Sequence, residues 1–175
     1  MTQPATAACS LDDVWRWLGD VPDPEVPVVS VVDLGIVRDV AWRYAAGGAA
    51  LEVTVTPTYS GCPATAVIAR DIQRALHARG IADVRLRTQL DPPWTTDWLS
   101  AAGREKLRAY GIAPPVGAAL DRASLGARGT PRAPVACPRC ASVDTSLISE
   151  FGSTPCKSLN RCNACAEPFD YFKCH

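Results

Sequence analysis

The chain has 175 residues, 47% hydrophobic and 21% charged, a globular balance with room for one ordinary domain and something small. Lys plus Arg and Asp plus Glu each number 18, so the formal net charge is zero. That argues against a general nucleic-acid or anionic-membrane binder, which needs a basic excess. No apolar run approaches the roughly 20 residues that span a bilayer, and residues 1–10 lack the basic flank and apolar core of a secretory signal. A cytoplasmic setting is therefore expected, where stable disulfides are uncommon.

In chain order, Leu11 to Leu18 reads as an amphipathic helix with Ser10 as N-cap. Asp23-Pro24-Glu25-Val26-Pro27 cannot be helical, because two prolines restrict themselves and their predecessors. A β-rich run follows at Val28 to Val32, then a second from Ile36 to Trp42, a Gly47-Gly48 turn, and a cleanly alternating strand from Leu51 to Thr56. Pro63 to Arg79 reads as a helix stopped by Gly80, Val84 to Leu90 as a strand, and Trp94 to Tyr110 as a helix. The hairpin and the strand–helix–strand crossover predict an α+β fold, a small three-stranded mixed sheet with helices packed on it. Residues 1–112, with 11 basic and 13 acidic side chains, form that domain. Residues 113–135 are rich in Pro, Gly and Ala and read as a linker with at most a short helical turn at Gly117 to Leu125. Residues 136–175 form a small cysteine-rich domain.

Six of the eight cysteines lie in that last segment, which in a reducing compartment points to metal or cluster chemistry before disulfides. Cys137-Pro138-Arg139-Cys140 and Cys162-Asn163-Ala164-Cys165 are two CxxC pairs with 21 residues between them. Four such thiolates make a closed tetrahedral site of the kind structural zinc takes, although a rubredoxin-like iron has the same ligands. A tail of this size buries too little apolar surface to fold without such a staple. Cys156 and Cys174 exceed the four-ligand requirement. They read as spare thiols, a redox pair, or ligands of a second site such as an iron–sulfur cluster.

In the first domain, the informative stretch is Thr56-Pro57-Thr58-Tyr59-Ser60-Gly61-Cys62-Pro63, joining a strand end to a helix start. Pro63 suits the first helical position, which would put Cys62 at the N-cap, where the helix dipole and free N–H groups favour thiolate. Thr58, Tyr59 and Ser60 add hydroxyls, and Asp23, Glu25 and Asp33 lie in loops that could converge on Cys62. The plainer alternatives are a small buried cysteine and ordinary turn or cap carboxylates.

Asp23-Pro24-Glu25, Val32-Asp33-Leu34-Gly35-Ile36-Val37 and Thr56 to Pro63 resemble the SufT-like iron–sulfur assembly domain family. With Phe151 to Lys157 and Glu167 to Cys174 included, the whole chain from about residue 11 resembles the PaaD (PaaJ) family, accessory subunits encoded with phenylacetyl-CoA epoxidase. The resemblance implies a SufT-like domain followed by a zinc-ribbon-like domain. It implies a role beside a di-iron oxygenase subunit and a flavin and iron–sulfur reductase, not the ring chemistry itself. It places the family's reactive cysteine on Cys62 and its acidic motif on Asp23, Glu25 and Asp33. The expected mechanism is transient holding of iron or a cluster by Cys62 with nearby carboxylates or a tail thiol, while zinc in the ribbon positions the recipient. The rival is a structural zinc-binding adaptor bridging oxygenase and reductase, with Cys62 as core. A thiol enzyme is a third reading, but the only histidines, His77 and His175, supply no clearly placed base.

Overall fold

The computed structural model describes residues 9–45, 48–59, 61–116 and 134–173. Helix α1 (Leu11–Leu18) starts as predicted: the Ser10 hydroxyl accepts from the Asp13 amide at 3.1 Å, and Val14 and Leu18 are buried. Strands β1 (Val37–Ala45) and β2 (Gly48–Val55) pair antiparallel. Helix α2 (Thr65–His77) then crosses to β3 (Val84–Thr88), which lies parallel to β2. The sheet order β1-β2-β3 is the expected three-stranded mixed sheet, and Ile68, Ile72 and Leu76 of α2 are buried.

Three local expectations differ. Val28 to Val32 forms no strand; a single bridge joins Pro22 to Ser30, and Val26, Val29 and Val31 are buried in the main core instead. The reason is local: one Asp23 carboxylate oxygen accepts from the amides of Glu25 and Val26, at 2.9 and 2.8 Å, and holds the stretch as a turn. The β-branched side chains there fill volume rather than build a ladder. The expected helix from Trp94 to Tyr110 is split into a 3₁₀ turn (Thr96–Trp98) and α3 (Ala101–Tyr110), because Thr95 and Ser100 each cap a separate start. Helix α2 begins at Thr65 with Ala64 at its cap, so Pro63 is outside the helix and Cys62 is not the N-cap.

After α3 the chain makes a two-residue strand, β4 (Ile112–Ala113). The expected helical turn at Gly117 to Leu125 lies outside the described residues. The tail contributes β5 (Thr145–Ser149), β6 (Lys157–Cys162) and β7 (Pro168–Phe172) in a second sheet ordered β4-β7-β6-β5. β4 runs parallel to β7, pairing Ile112 with Asp170 and Ala113 with Tyr171. The cysteine-rich tail is thus joined to the first half by backbone pairing. It is also joined by packing: Phe172 and Cys156 are buried in the main core, and the Phe172 ring meets Trp94 at 6.1 Å, tilted by 60°. Trp94 is itself fixed by donating to the Leu34 carbonyl at 2.8 Å. A smaller core of Ala113, Cys137, Cys162, Phe169 and Tyr171 lies under the ribbon. Among the described residues, no helix is long and apolar enough to cross a membrane.

Candidate metal centres

The two CxxC segments fold alike. The amide of the first cysteine donates to the carbonyl five residues on, Cys137 to Ser142 and Cys162 to Glu167, each at 2.9 Å. The residue after the second cysteine, Ala141 or Ala166, is left-handed, with φ of 60° and 62°. These two turns bring Cys137, Cys140, Cys162 and Cys165 together with all four sulfurs within 4.8 Å of one another. The Cys137–Cys165 and Cys140–Cys162 separations are 3.8 and 3.5 Å. A tetrahedral zinc with bonds of 2.3 Å has sulfurs about 3.8 Å apart, so the set fits zinc. The thiols already share protons unequally. The Cys165 amide lowers Cys162 to about 7. Cys140 is pushed up to about 12: the Ser142 amide pulls it down, but sulfur contacts with Cys162, Cys165 and Cys137 and burial prevail. A metal ion would replace those shared protons. Among the described residues this quartet is the only group of three or more His, Cys, Asp or Glu so closely gathered.

The second site is a cleft between the two halves, lined among others by Asp23, Glu25, Thr58, Cys62 and Cys156. Its free volume is about 10 Å³, at the lower limit for one water. Cys62 stands in the turn before α2: its amide donates to the Tyr59 carbonyl at 3.1 Å, and its carbonyl accepts from the Thr65 hydroxyl at 2.9 Å. The Cys156 thiol donates to the Glu25 carboxylate at 3.8 Å and lies 3.0 Å from the Thr154 hydroxyl. The loop that carries Cys156 is tightly built. Gly152 donates to the Lys157 carbonyl at 2.8 Å, and the Asp170 carboxylate accepts from the Ser153 hydroxyl at 2.7 Å and faces the buried Lys157 ammonium at 3.6 Å.

Electrostatics run against the expectation of a ready thiolate. Burial pushes the Cys62 thiol up; the Ala64 amide and Thr65 hydroxyl oppose this, but Glu25 and Asp23 add to the rise. Burial likewise raises Cys156, against the Thr154 hydroxyl and Lys157, with Glu25 and Asp23 adding to it. Asp23 is raised by its burial, although the Val26 and Glu25 amides and Lys157 oppose it. The cleft thus gathers carboxylates and thiols whose charged forms burial and mutual repulsion disfavour, an arrangement that a cation would relieve.

Of the residues singled out from sequence, Cys62, Asp23, Glu25, Thr58 and Cys156 come together, and Cys137, Cys140, Cys162 and Cys165 form the separate quartet. Asp33 does not line the cleft. Its carboxylate accepts from the Ser30 amide at 3.0 Å and the Ser100 hydroxyl at 3.2 Å, and pairs with Lys106 at 2.6 Å, stapling the 21–36 loop to α3. Cys174 and His175 lie outside the described residues. Sequence reasoning missed Thr154 and Lys157, which flank Cys156. The signal available was Cys156 itself, a tail cysteine beyond the four that zinc needs, directly after Gly152-Ser153-Thr154-Pro155.

Two family models match the chain: "Iron-sulfur cluster assembly protein" over residues 11–85 and "PaaD zinc beta ribbon domain" over residues 122–173. An Escherichia coli (strain K12) protein, named as one subunit of a "Putative 1,2-phenylacetyl-CoA epoxidase", is 51% identical over 93% of this chain and 92% of its own length. A Porphyromonas gingivalis protein named "Fe-S protein maturation auxiliary factor" is 34% identical over 51% of this chain and 82% of its own. The crystal structure of a domain of unknown function, DUF59, from Bacillus anthracis matches at TM-score 0.49 and 26% identity, covering 55% of this chain and 89% of that one. An iron–sulfur assembly domain followed by a zinc ribbon, with this identity along nearly the full length, means that the chain belongs to the PaaD family.

Proposed function

We propose that this PaaD-family protein is a non-catalytic maturation factor of the multicomponent phenylacetyl-CoA epoxidase, working in the cytoplasm. It aids supply or upkeep of iron or an iron–sulfur cluster in the di-iron oxygenase or the reductase. In this reading residues 1–112 are the assembly domain, 136–175 the ribbon, and 113–135 the link between them. The quartet holds a structural zinc ion, and the cleft at Cys62 is where iron or a cluster rests in transit. The observation that carries the reading is the meeting of Cys62 from the assembly half and Cys156 from the ribbon around Glu25 in one cleft. Thiols that titrate high bind metal weakly at neutral pH, because each must first lose its proton; that suits cargo that has to leave.

The test is complementation of a host lacking its own copy, growing on phenylacetate. Cys62→Ser is expected to abolish growth and to lower the iron content of the isolated oxygenase or reductase. Full growth with normal iron in both partners would sink the proposal.

A second reading, a zinc-binding adaptor bridging oxygenase and reductase, is favoured by one observation: Val143, Leu147, Ile148 and Phe151, on and beside the outer strand β5, are all exposed. It predicts that Cys62→Ser grows normally while Cys137→Ser does not.

A further inference from the structure

We infer that the cleft takes a single divalent first-row metal ion rather than a cluster, with Cys62 Sγ, Cys156 Sγ and a Glu25 carboxylate oxygen as its ligands. This rests on the carrier reading above and names its cargo.

The cleft is small. The cleft's free volume is about 10 Å³, room for one water, and an ion with its ligands drawn in needs little more. A [2Fe–2S] unit brings four heavy atoms and takes four protein ligands. Those ligands are cysteine thiolates, or cysteines with histidines, and the described lining of the cleft offers two thiols and no histidine, its other donors being the Glu25 carboxylate and the one Asp23 oxygen not taken by the Glu25 and Val26 amides. The donors also select the ion. Two sulfurs with one carboxylate suit borderline divalent ions such as Fe²⁺, Co²⁺ or Zn²⁺, and exclude Mg²⁺ and Ca²⁺, which want oxygen alone.

Access and looseness also favour one ion. Cys62 is partly exposed and Cys156 is buried, so an ion enters at Cys62 and is completed from within. Unlike the quartet, the three ligand atoms do not all lie within 4.8 Å of one another. Binding therefore has to draw the ribbon's loop and the Cys62 turn together, a closure that the quartet does not need. Asp23 positions Glu25 by fixing its amide, and Thr154 fixes Cys156 by its hydroxyl contact. Each thiol releases its proton to solvent as the ion binds, so two protons leave per ion.

The full chain with zinc in the quartet is titrated anaerobically with Co²⁺. The expected result is one cobalt per chain with zinc retained, and a sulfur-to-cobalt charge-transfer band. Cys62→Ser and Cys156→Ser should each lower that band by about half and weaken binding more than about tenfold. Glu25→Gln should weaken binding with the band intensity unchanged, and Cys9→Ser should alter neither. Retained zinc and far-ultraviolet circular dichroism report folding; if a cysteine variant unfolds, Glu25→Gln decides. An undiminished band in Cys156→Ser, or no cobalt beyond the zinc, overturns the inference. Parallel samples receive Fe²⁺ and sulfide. Acid-labile sulfide bound through Cys62 and Cys156 would overturn the single-ion assignment while leaving the iron–sulfur carrier reading intact. Unimpaired growth of Cys62→Ser on phenylacetate would remove that reading itself.

Discussion

The quartet and the cleft are both sulfur sites, but they are built in opposite ways. Each half of the quartet is a local turn of six residues that ties its own backbone, so the sulfurs are gathered as soon as two such turns meet. In the cleft, Glu25 and Cys156 are 131 residues apart and touch only because the ribbon docks on the first half. Local construction gives a closed set of four suited to a permanent ion. Long-range construction gives an open set that the docking itself assembles.

The largest effect is expected at the quartet. Cys162→Ser should empty the ribbon of zinc and unfold it, since binding of a structural zinc supplies an apparent 10–16 kcal/mol or so at neutral pH; elemental analysis and NMR dispersion report both. Phe172→Ala removes the ring that plugs the ribbon into the main core and should destabilise by about 3–5 kcal/mol in urea unfolding. It should also quicken alkylation of Cys156 while the zinc content holds. Loss of stability with Cys156 still protected would mean that the cleft does not depend on this docking. Gly152→Ala sharpens the contrast, because a Cβ there would lie 2.4 Å from Asp170 Oδ1 and 3.3 Å from Lys157 Cβ. It should cost about 1–3 kcal/mol and disturb the cleft but not the quartet.

Asp33 lies outside both sites. Burial raises its carboxyl, but Lys106 and the Ser30 amide and hydroxyl prevail and hold it below the usual carboxylate range. Its contribution is therefore complete above the unfolded carboxyl's pKa and is lost as pH falls through the lower folded value. Asp33→Asn should cost about 1–2 kcal/mol at neutral pH, with the gap to the parent closing below about pH 4 in denaturant titrations at stepped pH. The smallest effect is expected at Ala141, left-handed at φ 60°: Ala141→Gly should gain about 0.5 kcal/mol by thermal unfolding of the zinc form, relief of the left-handed strain slightly exceeding the added chain entropy.

What the sequence made legible follows the same division. The gathering of the four sulfurs could be read from spacing, because a CxxC turn carries its geometry with it. Helix α1, the hairpin and the crossover could be read from periodicity and one serine cap. Val28 to Val32 misled because β-branched residues fill a core as well as a ladder, and only the Asp23 side-chain bonds decide between them. Cys62 misled by two residues: Pro63 can open a helix, but α2 starts at Thr65. Once the thiol is off the cap, burial and Glu25 outweigh the neighbouring N–H groups. The joining of Cys156 to Glu25 was not legible, since no local pattern encodes which face of one half meets the other.

Strand β4 has a practical corollary. Ile112 and Ala113 stand at the end of the first half, yet they edge the ribbon's sheet. A cut placed just after them would leave β7 with β6 alone and bare its outer edge at Asp170 and Tyr171, where amides and carbonyls stand ready to template foreign strands. Anyone severing this molecule into two pieces should expect a sticky C-terminal fragment, and should carry residues 112–113 along by linking them back to it.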